Sequence, residues 1–166
     1  MHKIIMEKRI LDRIASLFDT PVMQNNLRGL YVEAMITELL DSGWRSTGGD
    51  WAGWDLEHES GTRIEVKQSA RMQTWGVSKA SPRFDIKAAG GHYPDGITYV
   101  ENRSGERLAD FYIFAWHEGT DQRTPEQWEF YVVASKDLPK RQKSIGLTGI
   151  QKLAGPIVSS QLKHAI

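Results

Sequence analysis

The spacing of apolar residues changes along the chain, and each change marks an element. Over residues 2–18, Ile4, Ile5, Leu11, Ile14, Leu17 and Phe18 recur among charges at the period of an amphipathic helix. Pro21 and the Asn25-Asn26 pair interrupt it. A second helix is predicted over residues 27–42, ended by Gly43. It is apolar around much of its circumference, so it is expected to pack against a sheet. A strand is expected around Trp44, followed by a turn at Thr47-Gly48-Gly49-Asp50. The stretch 70–96 is rich in Ser, Gly and Pro and reads as irregular, with a short strand at Phe84-Asp85-Ile86. Residues 110–116 form a continuous apolar run, as in a central strand buried on both faces, and 127–134 look like its neighbour. The segment 145–166 reads as partly helical, with a break near Gly155-Pro156. Strands in the middle and helices at both ends predict one α/β domain over residues 1–166, layered around a mixed sheet.

The clearest local pattern is over residues 54–68. Two arms alternate apolar and polar positions, and Glu59-Ser60-Gly61 between them suits a three-residue hairpin loop closed by a left-handed glycine. Counting outward from that loop, His58 faces Thr62, Glu57 faces Arg63, and Asp55 faces Glu65. Lys67 lies two residues beyond Glu65 on the same face, while Trp54, Leu56, Ile64 and Val66 form the opposite, core-facing side. Glu57 and Arg63 are complementary charges. Asp55 and Glu65 are like charges placed opposite each other, which destabilises a hairpin unless something neutralises them. A hard divalent cation is one neutraliser. A solvated polar face, with both carboxylates screened, is the other reading of the same residues.

Asp55, and Glu65-Val66-Lys67 after nine intervening residues, resemble the Asp…(Asp/Glu)-x-Lys signature of the restriction-endonuclease-like (PD-(D/E)xK) nuclease superfamily. The resemblance extends to a preceding helix that carries a glutamate and to the alternating strands that follow. Trp54 stands where many members have proline. What the resemblance implies is a restriction-endonuclease-like α/β fold, a central mixed sheet flanked by helices, that hydrolyses DNA phosphodiester bonds with Mg2+, Mn2+ being a substitute. Asp55 and Glu65 would be metal ligands together with the backbone carbonyl of Val66, and Lys67 would be catalytic. Glu33 on the second helix would complete the acidic cluster, with Glu38 as its competitor. Gln68 is a weaker candidate, because a regular strand points it to the other face. Many members are dimers, so a homodimer or a larger nuclease complex is an expected partner besides DNA.

Charge refines this picture. Net charge is zero, so no global attraction to nucleic acid is expected, but the distribution is uneven. From Arg63 to Lys87 there are six basic residues against Glu65 and Asp85. Of these, Arg71, Lys79, Arg83 and Lys87 are candidate contacts to the DNA backbone. A second basic cluster, Lys136, Lys140, Arg141 and Lys143, contains only Asp137 as an acid. Each such residue also has an ordinary reading as a solvated surface charge. Trp51, Trp54 and Trp75 flank the hairpin and are candidates to pack on bases. His92 and His117 read as loop or strand-end residues.

Other chemistries find less support. The chain has no cysteine, which excludes disulfides and thiolate metal sites. No histidine pair has the spacing of a helical zinc motif, and no Gly-x-Ser-x-Gly elbow occurs. No run of eighteen apolar residues suggests a membrane span, and the charged start does not resemble a secretory signal, so a cytoplasmic location is expected. Besides the nuclease, two other readings stand: a nuclease-fold protein that binds nucleic acid or a protein partner without cutting, and an α/β domain in which Glu65 and Lys67 form a surface ion pair.

Overall fold

A computed structural model describes residues 2–48 and 52–166. The chain opens with α1 (His2–Ser16) and α2 (Asn25–Leu39), then β1 (Trp44–Ser46), β2 (Leu56–His58) and β3 (Arg63–Ala70). Short strands follow: β4 (Met72–Gln73), β5 (Gly76–Val77), β6 (Arg83–Asp85), β7 (Gly91–His92) and β8 (Val100–Glu101). The long strands β9 (Phe111–His117) and β10 (Trp128–Ala134) precede β11 (Ser144–Gly146), α3 (Leu147–Gln151) and a 3-10 turn, Ser159–His164. Gly49, Asp50 and Trp51 lie outside the described residues, and with them the end of the expected turn and one candidate base-stacking tryptophan.

A five-stranded sheet in the order β1-β2-β3-β9-β10 organises the fold. Its neighbours are antiparallel except β3 and β9, which run parallel, so the sheet is mixed as expected. Alternation sends the side chains of each central strand into two cores. Leu56, Ile64, Val66, Ile113, Ala115 and Phe130 meet α2 through Val32, Met35 and Ile36. On the other face Tyr112, Phe114, Trp116, Tyr131 and Val133 pack with Phe84, Ile86, Leu138 and Ile150. Both sides of β9 are therefore buried, which is why its sequence reads as an unbroken apolar run.

Several expectations are corrected here. Trp54 does not join Leu56, Ile64 and Val66; it packs in the second core, because β2 begins only at Leu56 and regular alternation stops there. The apolar residues of α1 find no core: Ile4, Leu11 and Ile14 are each at least half exposed. The stretch 70–96 is not simply irregular, since β4 pairs with β5, β6 with β11 and β7 with β8. The C-terminal segment, by contrast, is partly helical as expected, in α3 and a 3-10 turn on either side of Gly155-Pro156. Among the described residues no helix is long and apolar enough to cross a membrane.

Candidate functional site

The hairpin forms in the expected register, with Leu56 opposite Ile64 and Glu57 opposite Arg63. Gly61 closes the loop at φ +89°, a left-handed conformation that favours glycine. Asp55 lies just beyond the end of β2, where its N–H donates to the Ile64 carbonyl at 2.9 Å. Its side chain then continues the ladder: Val66 donates its N–H to Asp55 Oδ2 at 2.7 Å. The N–H and C=O of one strand residue point to the same edge, so the Val66 carbonyl also faces the gap where β2 has ended.

On the neighbouring positions of β3, Lys67 donates to Glu65 Oε1 at 2.5 Å, and both side chains are half-buried. Tyr112 is the β9 partner of Glu65 in the parallel register, and Phe114 is that of Lys67. The charged pair thus sits at the margin of the second core, with only part of its surface in water.

Electrostatics tie further groups to these. Burial, and then the Glu33 charge, push the Asp55 carboxyl up to about 6 against the opposing pull of the Val66 N–H and of Lys67. Glu65 is raised by burial and by Asp55, although Lys67 draws it down. Glu33 is raised by burial and by Glu65, with Lys67 again opposing. Burial alone would lower Lys67, but Glu65, Asp55 and Asp85 hold it above the usual lysine range. The charges of the three acids and the lysine thus act on one another. Glu33 interacts with Glu65 and Lys67 in this way, whereas Glu38 lies exposed on the same helix.

Two members of this neighbourhood carry no signal in the sequence. Asp85 on β6 adds negative charge to Glu65 and Lys67. Tyr112 is buried, and burial followed by the charge of Glu65 raises its hydroxyl above the ordinary tyrosine range. Both arrive through packing of β6 and β9 against β3, contacts between residues far apart in sequence.

Other expected residues go elsewhere. Gln68 turns to the α2 side, accepting from Arg28 Nε at 2.5 Å and donating to Asn25 Oδ1 at 3.1 Å. Arg28 is fully buried, and its remaining bonds go to Asn25, Gln73 and the Met23 carbonyl, so every partner is neutral. Glu57 does not pair with Arg63: it accepts from Arg45 and from the Trp54 indole, both at 3.3 Å. Arg63 instead lays its guanidinium over the Trp54 ring, 3.8 Å from the centroid. Among the candidate DNA contacts, Arg71 is paired with Glu118 at 2.8 Å, while Lys79, Arg83 and Lys87 are exposed. Trp75 is largely exposed at the turn between β4 and β5. His117 ends β9, fully buried, and bonds through Nε2 to the Asp121 carbonyl.

Among the described residues no three His, Cys, Asp or Glu side chains converge closely enough to hold an ion by themselves. Magnesium does not require that many, because it keeps several waters and takes one or two carboxylates. Asp55, Glu65 and the Val66 carbonyl supply oxygen donors of the right class.

No family model matches the sequence, and no curated protein does. Among solved structures, a bacterial homing endonuclease is similar over 74% of this chain and 77% of its own, at 17% identity and a TM-score of 0.38. At that level the likeness carries no argument about function. The chain is a mixed α/β protein, and its chemistry has to be read from the site.

Proposed function

We propose that this protein is a magnesium-dependent endonuclease that hydrolyses DNA phosphodiester bonds at Asp55, Glu65 and Lys67. The observation that carries the reading is the break in the hairpin at Asp55. There a carboxylate caps the edge of β3 beside Glu65 and Lys67, and the acids sit above their ordinary pKa range. A surface ion pair between Glu65 and Lys67 would need neither Asp55 nor the cost of half-burying a group of like charges.

In this reading Asp55 and Glu65 hold the cation, with the Val66 carbonyl as a third oxygen donor and Glu33 close enough to add charge. A divalent ion bound there supplies a Lewis acid and a bound water of lowered pKa. Lys67 orients the attacking water and stabilises the extra negative charge on phosphorus. Glu33 and Asp85 keep the neighbourhood negative, which favours a cation over an unshielded phosphate. Gln68 has no place in the reaction; its hydrogen bonds fasten β3 to α2. Lys79, Arg83 and Lys87 lie on exposed surface further along the chain, where they can neutralise backbone phosphates.

Incubation of supercoiled plasmid with the protein, in millimolar magnesium and in EDTA, tests the proposal. Nicked or linear product in magnesium alone is expected. DNA binding without any product, in magnesium and in manganese, would favour a nuclease-fold protein that binds and does not cut.

A further inference from the structure

A basic feature that this chemistry does not use is a cavity at the start of β3. It encloses about 900 Å³ between the β2–β3 turn, the segment leading into β9 and the segment leaving β10. Three cations line it: Arg107, Lys136 and Lys140. None of the three has a carboxylate partner among the described residues. Arg107 is half-buried and fixed, because Nε, Nη1 and Nη2 donate to the carbonyls of Ile86, Leu138 and Pro139. Three of its five N–H groups are thereby used, which leaves two, and its charge has no counter-ion.

Two acids also line the cavity, Glu106 and Asp110. Asp110 is already engaged, accepting the Arg63 N–H at 2.9 Å. The rim includes Gly61 and Gly105, both at positive φ and both with open space where a Cβ would stand, so a ligand can approach the backbone there. A half-buried guanidinium held by neutral carbonyls, two unpaired lysines and two bare glycine turns make a receptor for an anion with several acceptor oxygens.

We infer that this cavity binds a phosphate group of the nucleic-acid strand that is cut at Asp55 and Glu65. The inference rests on the nuclease reading for the identity of the strand, though not for the phosphate chemistry. Position supports it. Thr62 lines the cavity and Glu65 lies three residues further along the same extended segment. Three residues of strand span about 10 Å, close to the axial rise of three base steps. Arg107 donates to the carbonyls of Ile86 and Leu138, which belong to the second core together with Tyr112, the β9 neighbour of Glu65, so the cavity adjoins the side of the sheet that carries the site.

The test uses the full chain in EDTA, so that binding is read without cleavage. Affinity for a short duplex is measured against salt for wild type, for Lys136→Ala/Lys140→Ala, and for the control pair Lys152→Ala/Lys163→Ala, which lies outside the cavity. All four lysines are exposed, so the fold is retained. Each lost phosphate contact lowers the salt slope by about 0.9, so the cavity pair, which holds one phosphate, should reduce it by about that much and the control pair should not. Equal slopes for wild type and the cavity pair overturn the inference.

Titration with inorganic phosphate, followed by amide shifts of Gly105 and Arg107, separates the two sources of phosphate. Shifts that are lost in the cavity pair, together with the reduced slope, support a strand contact. Shifts with an unchanged slope make the cavity a small-phosphate site and overturn the strand contact. If wild type binds no DNA, the nuclease reading fails. The same titration then decides the cavity alone, and an absence of shifts removes the phosphate chemistry as well.

Discussion

Asp55 takes over from the backbone at the point where β2 ends: its Oδ2 accepts the Val66 N–H at 2.7 Å, a bond that a strand carbonyl would otherwise accept. One side chain thus serves the sheet and presents a carboxylate beside Glu65. The two duties conflict, since burial raises the Asp55 pKa while the Val66 bond lowers it, and burial wins.

That conflict predicts a variant that is more stable and inactive. Asp55→Asn keeps an oxygen for Val66 and removes a charge that the folded state disfavours. The melting temperature at pH 7 without metal should rise by several degrees, as about 1 kcal/mol corresponds to roughly 2–4 °C for a domain of this size. Cleavage should be lost. A lower melting temperature for Asp55→Asn would mean that the charged form is needed by the fold.

The same carboxyl sets a pH dependence. Its folded pKa of about 6 lies above the ordinary aspartate value of 3.8, so between these values the folded state holds more protons than the unfolded chain. Stability from this group is therefore complete below about pH 4 and is lost as pH rises through 6. Cleavage runs the opposite way, because only the ionised form can hold a cation. At limiting magnesium the rate should rise through about pH 6, and saturating magnesium should move that limb to lower pH. Rate-against-pH curves at two magnesium concentrations check both the sign and the displacement.

Lys67 lowers the pKa of Asp55, Glu65 and Glu33 alike. Lys67→Met should therefore raise all three in metal-free protein, visible in carbon-detected titration of the carboxyl groups. It should also reduce the cleavage rate by about 100-fold or more, the usual effect of removing one group that stabilises transition-state charge. Carboxyl titrations that match those of wild type would show that Lys67 does not act on the acids electrostatically.

Arg28 is the opposite case, a buried cation whose partners are all neutral. Its loss strands the amides of Asn25, Gln68 and Gln73, so Arg28→Ala should cost about 3 kcal/mol or more in urea unfolding. Arg28→Lys should recover little, because a point charge cannot serve donors spread over a planar fork. A cost below about 1 kcal/mol would show that α2 does not depend on this network to hold β3.

Residues that interact within the hairpin were legible from the sequence because period-two alternation and the loop glycine fix the register over a few residues. The Asp55, Glu65 and Lys67 group follows from that register alone. Glu57 and Arg63 show its limit: they face each other on the backbone, yet Trp54 turns across the sheet and takes both, one by its indole N–H and one by its ring. Asp85 and Tyr112 were invisible because β6 and β9 reach β3 only through tertiary packing. The helix α1 was legible from its apolar period, but periodicity does not say whether the chain itself covers that stripe.

Plasmid nicking by folded variants tests most directly whether Asp55 and Lys67 perform metal-dependent phosphodiester cleavage. Wild type, Asp55→Asn and Lys67→Met are compared in magnesium at pH 8, with melting curves to establish that each is folded. Nicking is expected from wild type, none above background from Asp55→Asn, and a loss of about 100-fold or more in Lys67→Met. Nicking by Asp55→Asn at the wild-type rate, from equally pure protein, would contradict that role.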